Sequence, residues 1–264
     1  MLGKLFKHEF KTSAKLLIPL NLIVIGITLI GCLLFRSGLL QTLHVEFLNA
    51  VFLFLYIISL FALFILTAVY LTMRFYKTMY SSQGYLTHTL PVSSASILNT
   101  KILTSVFWVL LALIITACSI WFLIRSASGV TISPEEFRIL QERFFNEMGI
   151  EIGSFLATIA GTVTVSCFTS VLMIFASLSV GQLFRQYRIP AAIGACIVFY
   201  FIQQIASVIL LLLLGINAME HASSAAQGDF TKLLLGSVTA EALLFAVAYY
   251  ILCYYFTKKK LNLE

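Results

Sequence analysis

The chain has 264 residues, of which 60% are apolar and only 11% are charged, and its mean hydropathy is +1.00. A water-soluble domain of this length does not have such a composition, so soluble enzymes and soluble binding modules are excluded and an all-α integral membrane protein is predicted. The net charge of +6 follows the predicted membrane topology and does not indicate binding to nucleic acid.

The first fifteen residues are predicted to form an amphipathic helix that lies in the membrane interface. Its apolar side chains recur at helical spacing and its basic side chains line the opposite side; the two sets are Leu2, Leu5, Phe6, Phe10 and Ala14, and Lys4, His8, Lys11 and Lys15. Two roles remain open for this helix over 1–15. It is either a basic anchor that fixes topology or an elbow helix that transmits motion from a soluble partner.

Six apolar runs follow, each limited by charged residues. Since roughly 20 apolar residues are needed to cross the hydrocarbon core as a helix, we predict a transmembrane domain over 16–257 with spans at 16–35, 47–73, 102–124, 152–184, 190–214 and 236–257. Twelve of the 17 lysines and arginines fall in the N-terminus, the second and fourth loops and the C-terminal tail 258–264. The positive-inside rule therefore places both termini in the cytosol.

The third loop, 126–151, is predicted to lie outside and to contain a helix of its own. Ser133-Pro134-Glu135-Glu136 is a capping box with proline at the first helical position, which predicts a helix from Pro134 to about Glu147. This helix is either a structural cap over the external helix ends or a lid over an exit path.

The chain carries no GxxxxGK[ST] nucleotide loop, no HExxH sequence and no paired cysteine ligands. Its five cysteines lie inside apolar runs, as small buried hydrophobic residues do. His44 and His221 are each near a glutamate on the predicted outer face, but we predict no metal site there. We also predict no catalytic residue and no cofactor in this chain, which is not an enzyme by itself.

Glu241 is the only acidic residue inside a predicted span. If residues 230–235 form a short re-entrant piece and the sixth helix begins near Thr239, Glu241 lies in the first helical turn, where the helix dipole favours a carboxylate. The other interpretation is a functional carboxylate that faces a cavity.

Other polar residues inside the spans are candidates for a translocation path. Small hydroxyl residues recur close to every fourth position of the fourth span, and two adjacent amides lie near the middle of the fifth. Small residues on one helix face also serve close helix packing, and this alternative stays open. With Glu241, the candidates are Thr158, Thr162, Ser166, Gln203 and Gln204.

The segment SSQGYLTHTLPVSSASILNTK, Ser81 to Lys101, is predicted to be cytosolic and to connect the second and third spans. Gly84 permits a sharp turn, Pro91 prevents helix continuation, and the serines that follow can cap the next helix. The segment is too short to form a core, yet it carries exposed apolar side chains, which indicates docking on another protein. These side chains belong to Tyr85, Leu86 and Leu90.

The sequence GYLTHTLPVSSASILNTK, the basic start MLGKLFKHEFK and the six-span plan together resemble the permease subunits of ABC-2 type exporters of Gram-positive bacteria. The chain differs from such permeases at Gln83, where they often carry an acidic residue. The resemblance implies that 75–100 is a coupling segment that docks in a groove of a separate cytosolic ATPase. The implied coupling residues are Gly84, Tyr85, Leu86, Thr87, His88, Leu90 and Pro91.

The resemblance further implies a machine of two permeases, expected to be a homodimer, and two ABC ATPase subunits in the bacterial cytoplasmic membrane. ATP and Mg would be held by the ATPase. The expected cargo is an amphipathic cytolytic or antimicrobial peptide, as for permeases that export phenol-soluble modulins, lantibiotics or bacitracin, with lipid or drug extrusion as an alternative. The rival from another class is a membrane-embedded immunity or binding protein that works without an ATPase.

Overall fold

The structure, a computed structural model, describes residues 2–36, 46–81, 84, 93–128, 133–184, 186–220 and 224–259. These residues form helices and no strand. All of the helices except the short α4 are long and apolar enough to cross a membrane, which confirms the predicted all-helical fold with six candidate membrane spans. In chain order the helices are α1 (Leu2–Arg36), α2 (Glu46–Tyr80), α3 (Ser94–Ser128), α4 (Pro134–Met148), α5 (Ile152–Gly181), α6 (Arg188–Glu220) and α7 (Ser224–Lys259).

The chain divides into two compact units. The first comprises residues 1–75 and 96–131, and so contains α1 and most of α2 and α3. The second comprises residues 76–95 and 132–264, and so contains α4 to α7 together with the last turn of α2.

Helix α1 runs without interruption from Leu2 to Arg36. The predicted interfacial helix over 1–15 is therefore not a separate element. The physical reason is that no glycine or proline interrupts the backbone between the basic start and the apolar run, and Pro19 is accommodated inside the helix. The basic residues form the first turns of the same helix that carries the first span.

The first unit is held together by buried residues contributed by all three of its helices. Phe10 and Ala14, on the apolar side of the start of α1, pack on one buried cluster, so this side contacts other helices of the unit. Two such clusters are described: Leu17, Leu71 and Trp108, and then Val24, Leu63 and Ala112.

A third layer of the first unit is polar. The Ser119 hydroxyl of α3 lies 2.7 Å from Thr28 Oγ1 of α1 and also bonds the Tyr56 hydroxyl of α2. Because hydrocarbon offers no water, a buried hydroxyl in a span needs a partner from its own or a neighbouring helix. Ser119 therefore joins all three helices of the unit at one point.

The second unit packs α5 against α7 through small side chains. Ala176, Ala246 and Cys253 are at most 3% exposed, and Thr169 Oγ1 donates to the carbonyl of Ala242 at 2.9 Å. Without a hydrophobic driving force between helices in lipid, close backbone approach and interhelical hydrogen bonds supply the association.

Helix α4 confirms the predicted capping box. The Glu136 amide donates to Ser133 Oγ at 3.2 Å, and the Ser133 amide donates to Glu136 Oε2 at 2.8 Å. The helix ends at Met148, where Gly149 adopts a φ of 67°, a conformation that glycine takes without a steric penalty. No residue of α4 is buried.

Helix α7 corrects one interpretation of Glu241. The helix is continuous from Ser224 to Lys259, so residues 230–235 are not a re-entrant piece and no helix begins near Thr239. Gly236 weakens a helix but does not end one when the backbone hydrogen bonds continue through it. Glu241 therefore lies well inside the helix, and the helix dipole does not account for its carboxylate.

Replacement of Ala246 by leucine tests the packing of α5 on α7. We expect Ala246→Leu to lower the Tm by about 3–10 °C, because extra methylenes in a tightly packed contact force side chains and backbone apart. Val247→Leu is the matched control, since Val247 is 58% exposed, and it should leave the Tm unchanged. The measurement is thermal unfolding of the purified chain in detergent, followed by a thiol-reactive dye. Equal Tm values for the two variants would contradict the assigned contact.

Candidate functional site

The predicted coupling segment 75–100 begins and ends in helices. Residues 75–80 are the last turns of α2, and residues 94–100 are the first turns of α3. Between them, the buried Gly84 donates its amide to the carbonyl of Ser81 at 2.6 Å, a bond typical of a turn. The other residues predicted to contact the ATPase lie outside the described residues: Tyr85, Leu86, Thr87, His88, Leu90 and Pro91.

Tyr80, the last residue of α2, is fixed to two helices of the second unit. It is 3% exposed, and its hydroxyl lies 2.7 Å from Ser179 Oγ of α5 and 3.4 Å from Thr257 Oγ1 of α7. The Ser179 hydroxyl in turn lies 3.3 Å from Cys253 Sγ. A buried phenol requires such partners, and here they hold the start of the predicted cytosolic segment against α5 and α7.

Glu9 of α1 joins α1 to both helices that flank the segment. Its Oε2 accepts hydrogen bonds from Arg74 Nη2 at 2.5 Å and Nε at 2.9 Å, and its Oε1 accepts one from Lys101 Nζ at 2.8 Å. The side chains of Glu9 and Arg74 are 15% exposed and that of Lys101 is 6% exposed. One carboxylate on α1 therefore holds a cation of α2 and a cation of α3.

The geometry of the Glu9 cluster decides whether it stabilises the unit. Removing an ion from water costs several kcal/mol, and a buried pair offsets this cost only with good geometry and additional hydrogen bonds. Both conditions are met, because charge-assisted bonds reach both carboxylate oxygens and Arg74 Nη1 also donates to the Tyr70 hydroxyl at 3.2 Å. Without the carboxylate, two partly buried cations would lie close together and repel each other.

The predicted hydroxyl stripe lies on α5. Thr158 is exposed, whereas Thr162 and Ser166 are half-buried. Thr158 Oγ1 donates to the Ser154 carbonyl at 2.8 Å and Thr162 Oγ1 donates to the Thr158 carbonyl at 2.9 Å, so these hydroxyls are satisfied within their own helix. Thr169 on the same helix bonds α7, which shows that part of the stripe serves packing.

The two predicted amides of α6 differ in their environment. Gln203 is half-buried and Gln204 is exposed. Successive residues of a helix point about 100° apart, so the two side chains leave α6 in different directions. Gln203 lies one turn before Ser207, whose hydroxyl bonds Glu241 of α7.

The structure brings Glu241 of α7 to Ser207 of α6. The Ser207 hydroxyl donates to Glu241 Oε1 at 2.7 Å, and both residues are half-buried. The neighbouring residue Ala242 is bonded to Thr169 near the middle of α5, so Glu241 also lies near the middle of the candidate span. Thr158 is about 16 Å away from Thr169 along the axis of α5, so Thr158 and Glu241 lie at different depths of the candidate spans.

Packing alone does not account for an acid at this depth. A side-chain hydrogen bond between membrane helices contributes about 0.6 kcal/mol on average. An acidic residue at the centre of a span costs about 2.5–3.5 kcal/mol on insertion scales. A glutamine would accept the same bond from Ser207 without carrying a charge, so the bond to Ser207 does not by itself account for a carboxylate at this position.

Metal binding has no support in the part of the chain that the structure describes. No group of three or more histidine, cysteine or acidic residues there could hold a metal ion. The five cysteines are free thiols. His44 and His221, the pair considered from the sequence, lie outside the described residues.

Comparisons of the chain with protein-family models, with curated proteins and with solved structures gave no match.

Sequence reasoning missed Glu9 and Tyr80. A signal for Glu9 was present, because it is the only acidic residue in the first 36 positions and stands among basic residues. Tyr80 gives no such signal, since its hydroxyl partners follow 99 and 177 residues later in the chain.

Replacement of Glu9 by alanine tests the cluster that flanks the segment. We expect Glu9→Ala to destabilise the chain by about 3–5 kcal/mol, because two cations lose their shared counter-ion. Glu142→Ala is the control: Glu142 pairs with Arg138 at 3.5 Å but is 66% exposed, so its loss should cost less than about 1 kcal/mol. The measurement is thermal unfolding of the purified variants. Equal losses of stability would show that the Glu9 cluster contributes no more than a surface pair.

Proposed function

We propose that the chain is the membrane-spanning permease subunit of an ATP-driven exporter in a bacterial cytoplasmic membrane. In this proposal, residues 82–92 dock on a separate cytosolic ABC ATPase, which holds ATP and Mg. Two copies of the permease and two of the ATPase form the machine. The observation that carries the proposal is the attachment of the helices on both sides of residues 82–92 to other helices through buried polar contacts.

The reason is mechanical. A docked segment moves other helices only if its ends are attached to them. Tyr80 stands two residues before 82–92 and is bonded to α5 and α7, while Arg74 and Lys101 on the flanking helices share Glu9 of α1. Displacement of residues 82–92 by an ATPase would therefore act on α1 through Glu9 and on α5 and α7 through Tyr80. Such attachments are needed for helices to move as rigid bodies between two states.

The cargo is proposed to be an amphipathic peptide. The candidate path carries hydroxyls on α5, amides on α6 and one carboxylate on α7, within helices that are otherwise apolar. Apolar contact would supply most of the affinity for such a cargo, and a few polar groups would orient it.

Replacement of Leu90 by aspartate tests docking. We expect Leu90→Asp to reduce the ATPase activity that co-purifies with the tagged chain from its native membrane by at least about tenfold, because a charge in the apolar contact removes a binding hot spot. Leu140→Asp on α4, where Leu140 is 49% exposed, is the matched control and should leave the activity unchanged.

Two results would contradict the proposal. Equal ATPase activity with Leu90→Asp and with the unsubstituted chain would show that the segment does not dock. Absence of any co-purifying ATPase activity, in cells that the chain still protects against a peptide, would favour an immunity protein that works without an ATPase.

A further inference from the structure

Glu241 has an unused hydrogen-bonding capacity in an accessible position. Its Oε1 accepts the Ser207 bond, and the described residues give its Oε2 no donor. Gln203, one turn from Ser207 on α6, and Ser237, one turn from Glu241 on α7, are half-buried as well. The facing sides of α6 and α7 thus form a polar strip with one carboxylate at its centre.

The described residues supply Glu241 with no cation. Their ion pairs involve Glu9 and Glu142. Lys232, the nearest preceding basic residue of α7, lies nine positions earlier and so on the opposite side of the helix, about 13 Å away along its axis. A carboxylate inside a membrane span normally pairs with a cation or lines a polar path, so a cation from outside the described chain fits here.

The oxygen atoms at the site indicate which kind of cation fits. Calcium takes six or more oxygen ligands and magnesium demands a near-ideal octahedron, whereas Glu241 has one hydroxyl beside it, that of Ser207, and Gln203 lies one turn from Ser207 along α6. An ammonium or guanidinium group needs fewer acceptors, because it donates hydrogen bonds in defined directions to a carboxylate and an amide oxygen. The geometry therefore fits an organic cation better than a metal ion.

We propose that Glu241, Ser207 and Gln203 form a recognition site for a cationic group of the cargo, the ammonium or guanidinium of a lysine or arginine side chain in an amphipathic peptide. This inference rests on the proposed export function for the identity of its cargo. Glu241 forms the ion pair, Ser207 holds the carboxylate in place, and the Gln203 amide accepts a further hydrogen bond. The site selects cationic peptides over neutral peptides of the same shape.

The test uses the purified full-length chain in nanodiscs of zwitterionic phosphatidylcholine, without an ATPase. The probes are two fluorescent helical amphipathic peptides that differ only in carrying lysine or glutamine on the polar face. Fluorescence anisotropy should show the lysine peptide binding about tenfold more tightly. Glu241→Gln should reduce this affinity to that of the glutamine peptide and leave the glutamine peptide unaffected.

Glu151→Gln is the matched control, because Glu151 is an exposed acid just before α5, and it should keep the discrimination. The assignment is overturned if the Glu241→Gln variant still binds the lysine peptide more tightly than the glutamine peptide. It is also overturned if Glu151→Gln abolishes this preference to the same extent as Glu241→Gln. Equal weakening of both peptides by Glu241→Gln also overturns it, since that result indicates a structural role.

A second measurement needs no variant, in case Glu241→Gln does not fold. Dicyclohexylcarbodiimide modifies carboxyl groups inside membranes, and mass spectrometry locates the adduct. The lysine peptide should protect Glu241 from this reagent and the glutamine peptide should not; equal labelling with both overturns the proposal. Because no ATPase is present, a negative result in the peptide-binding test does not contradict the docking of residues 82–92. Conversely, absence of co-purifying ATPase activity does not contradict peptide binding at Glu241.

Discussion

In hydrocarbon a polar group has no water to bond, so each span must satisfy its own polar atoms or share them with a neighbouring helix. Most hydroxyls of the described residues are satisfied within their own helix, as where Thr158 and Thr162 each bond a carbonyl of the preceding turn. The exceptions hold helices together, as at Ser119 in the first unit and at Thr169 in the second. Because lipid drives no hydrophobic association between helices, these bonds and the close packing of buried side chains specify the arrangement of the helices.

One group of charged and phenolic contacts lies around the segment between α2 and α3. Glu9 holds Arg74 and Lys101, and Tyr80 bonds Ser179 and approaches Thr257. Buried polar contacts of this kind are costly unless they are fully paired, which makes them specific for one arrangement.

The sequence allowed the six spans to be predicted, because charges limit the apolar runs, and it allowed α4 to be predicted because Ser133 and Glu136 form a local capping box. The interpretation of Glu241 as a first-turn residue was wrong, since it required a re-entrant piece over 230–235 and the helix is continuous there.

The helix over 1–15 was predicted as a separate element from its amphipathic pattern. Such a pattern shows which face of a helix is apolar, but it does not show whether the helix ends before the first span. Of the predicted path, the sequence placed Gln203 and Gln204 near mid-depth but did not predict the bond between Ser207 and Glu241. The contacts of Glu9 could not be predicted from the neighbouring sequence either, because its partners follow 65 and 92 residues later.

Docking on a cytosolic ATPase requires that the segment between α2 and α3 face the cytosol. The decisive measurement is labelling of Tyr85→Cys with a membrane-impermeant thiol reagent, in intact cells and in inside-out vesicles, with the unsubstituted chain as the background. We expect labelling in inside-out vesicles only, because the segment is predicted to be cytosolic. Labelling in intact cells would place the segment outside, where no ATP-driven partner could reach it, and would contradict the account.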